Sequence, residues 1–353
     1  MSLNHRKGTA RIYGLLALSL IFAYCLVGLS PSVAQERAGV ELMVLGIAQD
    51  AGYPQASCRK NCCQAAWKNP RLRRNVASLG LIDYSTGKRY LLDCTPDFPD
   101  QLRMLDQRLS PKPSNNSAID GIFLTHAHIG HYSGLIHLGR EVIGAQAVPT
   151  YVMPRMSEFL QSNGPWSQLV KLENISLRPL STERPDAHPG ASKARKKTSD
   201  QLKTGGIRLQ TVQLSPLLSI EPFLVPHRDE FSETVGFKIK GPTKTVIFLP
   251  DIDKWSQWDQ SIESMIETAD LAYLDGTFFE NGEIPGRDMS MIPHPFVSES
   301  INRFAPLDET ERKKVRFIHF NHTNPVFQPN SQAAQDIERA GMAIAQQGEV
   351  VEL

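Results

Sequence analysis

Three histidines stand within six residues in Thr125-His126-Ala127-His128-Ile129-Gly130-His131, directly after the apolar run Gly121-Ile122-Phe123-Leu124. The run predicts a buried strand, so the histidines fall on the turn that ends it. On that turn His126 and His128 can point the same way. His131 opens the next helix and can point back at a neighbouring position. A surface cluster of histidines is the plain alternative, but Leu135-Ile136 continues the apolar pattern beyond the turn and argues for partial burial. Buried imidazoles need partners, and imidazole is a good ligand for zinc and iron. The turn is therefore expected to hold a metal.

The same arrangement recurs along the chain. Thr245-Val246-Ile247-Phe248-Leu249 runs into Pro250-Asp251, Leu271-Ala272-Tyr273-Leu274 into Asp275, and Val315-Arg316-Phe317-Ile318 into His319. Glu41 to Gly46 reads as a further strand, residues 77–84 and 90–93 as a hairpin about Ser85-Thr86-Gly87, and Phe98 to Leu109 as a helix with leucines at helical spacing. Short apolar strands that deliver polar residues at their ends predict an α/β protein whose site lies along one rim of a sheet. Asp253 and Asp275 are expected to hydrogen-bond to ligands, and His137 to be a packed or surface histidine.

The histidine segment resembles the His-x-His-x-Asp-His signature of the metallo-β-lactamase superfamily, with Gly130 in place of the aspartate. The resemblance implies a four-layer αββα sandwich. It also implies further ligands downstream, and the chain offers each in order: His227 in Val225-Pro226-His227-Arg228, Asp251, and His319. Within the superfamily the chain is most similar to the coenzyme PQQ synthesis protein B branch. The segments that carry this are Ala51-Gly52-Tyr53-Pro54-Gln55 before clustered cysteines, Thr95-Pro96-Asp97, and Ile318-His319-Phe320-Asn321-His322-Thr323-Asn324-Pro325. Leu274-Asp275-Gly276-Thr277-Phe278 followed by His294 resembles tRNase Z-like and phosphodiesterase relatives, in which such a histidine assists proton transfer.

The resemblance assigns His126, His128, His227 and Asp251 to one metal, and His131, His319 and Asp251 to a second. Glycine at 130 has no side chain to coordinate, so one tight zinc and a weak or absent second are expected, with iron or manganese as other metals the donors would accept. Aspartate restored at 130 is expected to strengthen the second position. The expected chemistry is hydrolysis by metal-bound hydroxide, with Asp251 orienting the nucleophile and His294 or His322 protonating the leaving group. The substrate expected is a small phosphodiester, ester or lactone. Two other readings remain open: iron-dependent oxidation, as the PQQ branch implies, and a non-catalytic metal-binding or sensor protein. β-Lactam hydrolysis is not indicated.

Composition narrows the setting. The chain has 353 residues, 38 basic against 37 acidic. It lacks the basic excess of a nucleic-acid or membrane-surface binder. Arg6, Lys7 and Arg11 precede an uncharged run from Ile12 to Leu29 and a Ser32-Val33-Ala34 end. This pattern predicts a secretory leader cleaved after Ala34, an uncleaved N-terminal anchor being the alternative. The domain is then residues 35–353, in a periplasmic or secreted setting without stable membrane insertion. Residues 181–206, rich in Pro, Lys and Arg, read as a polar surface insertion. Cys58, Cys62 and Cys63 are expected to form a disulfide, favoured by an oxidising compartment, or to bind a structural zinc.

Overall fold

The computed structural model describes residues 38–110, 118–181 and 209–353. The expected leader lies outside them, as does the segment 181–206 apart from Ser181. The strands in chain order are β1 (Val40–Gly46), β2 (Ser78–Asp83), β3 (Lys88–Leu92), β4 (Gly121–Phe123), β5 (Val148–Val152) and β6 (Ile175–Pro179), then β7 (Val212–Ser215), β8 (Leu218–Leu224), β9 (Val235–Lys240), β10 (Thr245–Leu249), β11 (Leu271–Asp275), β12 (Val315–Ile318), β13 (Ala343–Ile344) and β14 (Val350–Glu352). They form two seven-stranded sheets, ordered β14-β1-β2-β3-β4-β5-β6 and β13-β12-β11-β10-β9-β8-β7. Both are mixed: β3 to β6 run parallel in the first, and β10 to β13 in the second.

Side-chain alternation along buried strands builds the layers. Leu42 and Val44 of β1 and Leu79 and Leu81 of β2 join a core shared with Ile220, Phe237, Ile239 and Phe248 of the second sheet. Phe123 meets Phe237 edge-on, with centroids 5.8 Å apart. The alternate residues Met43, Leu45 and Ile122 face outward and pack with Phe98 and Leu105 of the helix Phe98–Arg108. Ile262 and Ile266, Val297 and Phe304, and Ile337 come from helices that pack with the second sheet. This is the expected αββα sandwich. Strands buried on both faces carry continuous apolar runs, which is why β10, β11 and β12 stand at the positions their sequences predict. Among the described residues no helix is long and apolar enough to cross a membrane.

The pairing also fixes where the strands end. Because β2 is antiparallel to both β1 and β3, β1 runs the same way as β3 and β4. Because β9 is antiparallel to both β8 and β10, β8 runs the same way as β10 to β12. The two sheets are tied at this rim. Ala48, just after β1, bridges in parallel to Phe320, just after β12. Phe320 N–H donates to Ile47 O at 2.8 Å, and Gln49 N–H to Phe320 O at 2.8 Å. The residues that follow β1 and β3 to β6 in the first sheet, and β8 and β10 to β13 in the second, therefore leave at the same edge of the sandwich.

Phe248 is fully buried in the inter-sheet core. Phe248→Ala is expected to cost about 3–5 kcal/mol, read as a lower urea midpoint at unchanged slope.

Candidate metal centre

The shared rim collects the predicted residues. His126 follows β4, His227 follows β8, Asp251 follows β10 and His319 follows β12. His131 lies in the short helix Ile129–Tyr132. His126, His128 and His227 offer ligand atoms that all lie within 4.8 Å of one another, as do His126, His131 and Asp251, and His227, Asp251 and His294. His126 Nε2 is 2.8 Å from His128 Nδ1. Asp251 sits between the groups: Oδ1 is 3.6 Å from His227 Nε2, and Oδ2 is 3.1 Å from His131 Nε2 and 3.3 Å from His319 Nε2. His294 Nδ1 is 3.8 Å from Asp251 Oδ1.

His131, His227 and His319 are each oriented through the nitrogen turned away from Asp251, and His294 through Nδ1, the nitrogen nearer to it. His131 Nδ1 meets Asp93 Oδ2 at 2.8 Å, and Thr125 N–H and Oγ1–H donate to Asp93 Oδ1 at 2.8 and 2.9 Å. His227 Nδ1 meets Asp253 at 3.2 Å, His319 Nδ1 meets Thr277 Oγ1 at 3.0 Å, and His294 Nδ1 meets Asp275 Oδ2 at 2.7 Å. Asp93 and His319 take left-handed backbone at φ 67° and 68°. For non-glycine residues this is strain of about 1–3 kcal/mol each, held by the surrounding structure.

Electrostatics separates the histidines. Burial, aided by the neighbouring imidazoles, pushes His126 well below the ordinary value. Burial likewise pushes His128 down to about 4, so both rings are neutral near pH 7. Burial also opposes charge on His131 and His294, but the carboxylates of Asp93 and Asp251 lift His131 well above the ordinary value, and Asp275 lifts His294. Burial works against ionised Asp251, yet His319 and His131 hold its carboxyl well below the ordinary range.

Five buried atoms in this cluster lack an aligned hydrogen bond: Nε2 of His131, His227 and His319, Oδ2 of Asp251 and Oδ1 of Asp50. Unpaired buried polar atoms are costly. Imidazole nitrogens and carboxylate oxygens that face one another, buried and without an aligned hydrogen bond, are the donor set of a divalent cation once the rings are neutral, so the residues fit the metal that the sequence implies. His126, His128, His227 and Asp251 would hold one cation.

Asp50 was not expected. It follows β1, and the β1–β12 bridge carries it to the centre, where Oδ1 lies 3.2 Å from His131 Nε2 and 3.6 Å from His319 Nε2. Its only sequence signal is its place just beyond an apolar strand, shared with many surface carboxylates. The expectation of a second position lacking a carboxylate considered Gly130 alone; the structure brings one there from another strand. Asp93 was missed for the same reason.

His322 goes elsewhere. It forms a group with Cys58, Cys62 and Cys63, ligand atoms within 4.8 Å, and belongs to none of the groups around Asp251. Its Nδ1 is 2.7 Å from Asn321 Oδ1. This placement corrects the expectation of His322 as a proton donor at the metal centre. All four described cysteines are free. The Sγ atoms of Cys58 and Cys62 are 3.8 Å apart, far beyond the roughly 2.05 Å of a disulfide. The expected disulfide is thus absent among the described cysteines, and three thiols with one imidazole form a donor set of structural-zinc type.

This rim of imidazoles and carboxylates on a two-sheet sandwich defines a class. The family described as Beta-lactamase superfamily domain matches residues 88–320, and the chain belongs to it. Within it, the chain is similar to coenzyme PQQ synthesis protein B. The protein of Methylorubrum extorquens (strain PA1) is 24% identical over 324 residues, covering 89% of this chain and 100% of that one. The protein of Klebsiella pneumoniae (strain 342) is 24% identical over 331 residues, covering 88% and 98%. Among solved structures, Zn2+-bound PqqB from Methylobacterium extorquens matches with a TM-score of 0.68 at 20% identity, over 89% of this chain and 100% of that one. A diphosphatase of the PhnP family matches at 0.54 and 19% identity, over 89% and 97%. At these identities the structural likeness shows the shared fold.

Asp93→Asn removes the charge behind His131 and keeps the shape. It is expected to weaken metal affinity about 10–100-fold with an unchanged far-ultraviolet circular dichroism spectrum, measured by competition with a chromogenic chelator.

Proposed function

We propose that the chain is a metal-dependent hydrolase of a small phosphodiester or a carboxylic ester, lactones included. The observation that carries this is the convergence of buried, unpaired imidazole and carboxylate atoms on Asp251, with the His294–Asp275 pair beside them. A divalent cation bound there lowers the pKa of water from about 16 towards about 7 and stabilises charge developing on an attacked centre. The chain's own residues supply the rest. Asp251 holds its carboxylate ionised between four imidazoles. His294 is held by Asp275, which fixes the ring through Nδ1 and leaves Nε2 to give a proton to a departing oxygen. The strand ends keep these groups on rigid backbone, so little reorganisation is needed as charge moves.

The test is turnover of bis(p-nitrophenyl) phosphate and of p-nitrophenyl esters and aryl lactones by zinc-loaded protein. His126→Ala and Asp251→Ala are expected to lose both metal and turnover. His294→Ala is expected to keep the metal and lose about 10²–10⁴-fold in kcat. Oxygen consumption without hydrolysis by iron-loaded protein, or no turnover with either metal, would overturn the proposal.

A further inference from the structure

The position of Gly130 in the histidine turn is not open space. A Cβ built there would stand 2.5 Å from Asp50 Cα and 2.8 Å from Asp50 Cβ, and closer still to Asp50 Oδ1. Real side chains do not pack so tightly, so the backbone of residue 130 and the Asp50 side chain exclude any larger residue at 130. The carboxylate that fills the space is held on a firm base. The Ile47–Phe320 and Gln49–Phe320 backbone hydrogen bonds fix the strand end, and Gly52 N–H donates to Gln49 O at 2.8 Å to close the turn around Asp50.

Each of the two carboxylates stands from the two imidazoles at the spacing of ligands on one ion. Asp50 Oδ1 is 3.2 Å from His131 Nε2 and 3.6 Å from His319 Nε2; Asp251 Oδ2 is 3.1 and 3.3 Å from the same two atoms. Ligands at about 2.0–2.2 Å around a tetrahedral zinc lie roughly 3.3–3.6 Å from one another. All four atoms are buried and lack an aligned hydrogen bond.

We infer that Asp50 is a ligand of a second divalent cation, completing a site with His131, His319 and Asp251, and that Gly130 is the space this relocated carboxylate requires. The carboxylate enters from the loop after β1, not from the helix after β4. This deepens the hydrolase reading and rests on its metal centre, not on its reaction.

The test is zinc stoichiometry of the full chain, by calorimetric titration after chelation and by elemental analysis. The cysteine group contributes the same in every variant, so differences from the unsubstituted chain decide. Asp50→Asn, neutral and of the same shape, is expected to lose one zinc equivalent while keeping the one at His126, His128 and His227. Gly130→Asp alone is expected to lose it too, because the new side chain collides with Asp50. Asp50→Gly combined with Gly130→Asp, which moves the carboxylate to the helix, is expected to regain it. Equal stoichiometry in the unsubstituted chain and Asp50→Asn, or one equivalent gained by Gly130→Asp alone, would overturn the inference. Should Asp50→Asn fail to fold, the double exchange against Gly130→Asp decides alone. A chain that binds both cations and hydrolyses no ester supports this inference and defeats the hydrolase reading.

Discussion

A carboxylate buried at Asp251, with four imidazoles within 4 Å, is the interaction around which the site is built. Removing a carboxylate from water costs several kcal/mol even after relaxation. Here the penalty is offset by positive or polarisable groups on every side, which hold the group ionised. His227 and His319 follow β8 and β12 of the second sheet, His131 lies in the short helix just after β4 of the first, and His294 precedes the helix Val297–Phe304. The centre therefore exists only when both sheets have formed and met, and metal binding is expected to be linked to the stability of the whole sandwich.

At the rim that meeting is secured by backbone hydrogen bonds in addition to the shared core. The bridge between Ala48 and Phe320 joins the first sheet to the second at the rim. Thr125 O accepts from Val235 N–H, and Ser232 Oγ from Ala127 N–H, so the histidine turn is tied to the strand opposite. Asp93 and His319 stand in left-handed conformations that neither residue favours alone. Strain of this kind persists only where the surroundings over-determine the backbone. Both residues serve the centre, His319 by aiming its Nε2 inward and Asp93 by standing behind His131.

The site has two kinds of support. One is carboxylate on imidazole: Asp93 behind His131, Asp253 behind His227, Asp275 behind His294. The other is hydroxyl on imidazole: Thr125 on His126 and Thr277 on His319. A carboxylate partner raises ring basicity, whereas a hydroxyl orients the ring with little change in charge. The cysteine group with His322 stands apart from both.

What the sequence determined by itself was local. Apolar runs in buried strands read directly as β1, β10, β11 and β12, because a strand covered on both faces has no polar side to blur the pattern. His126, Asp251 and His319 could be picked out because each stands just past a short, mainly apolar run. What only the tertiary structure decided was which distant residues share a position. Asp50 and Gly130 are far apart in the chain and carry no joint signal, yet one fills the space the other leaves. His322 looks like a neighbour of His319 in sequence but faces the cysteines. The physical reason is that a strand end fixes the direction of the next few residues, while the packing of two sheets fixes which strand ends meet.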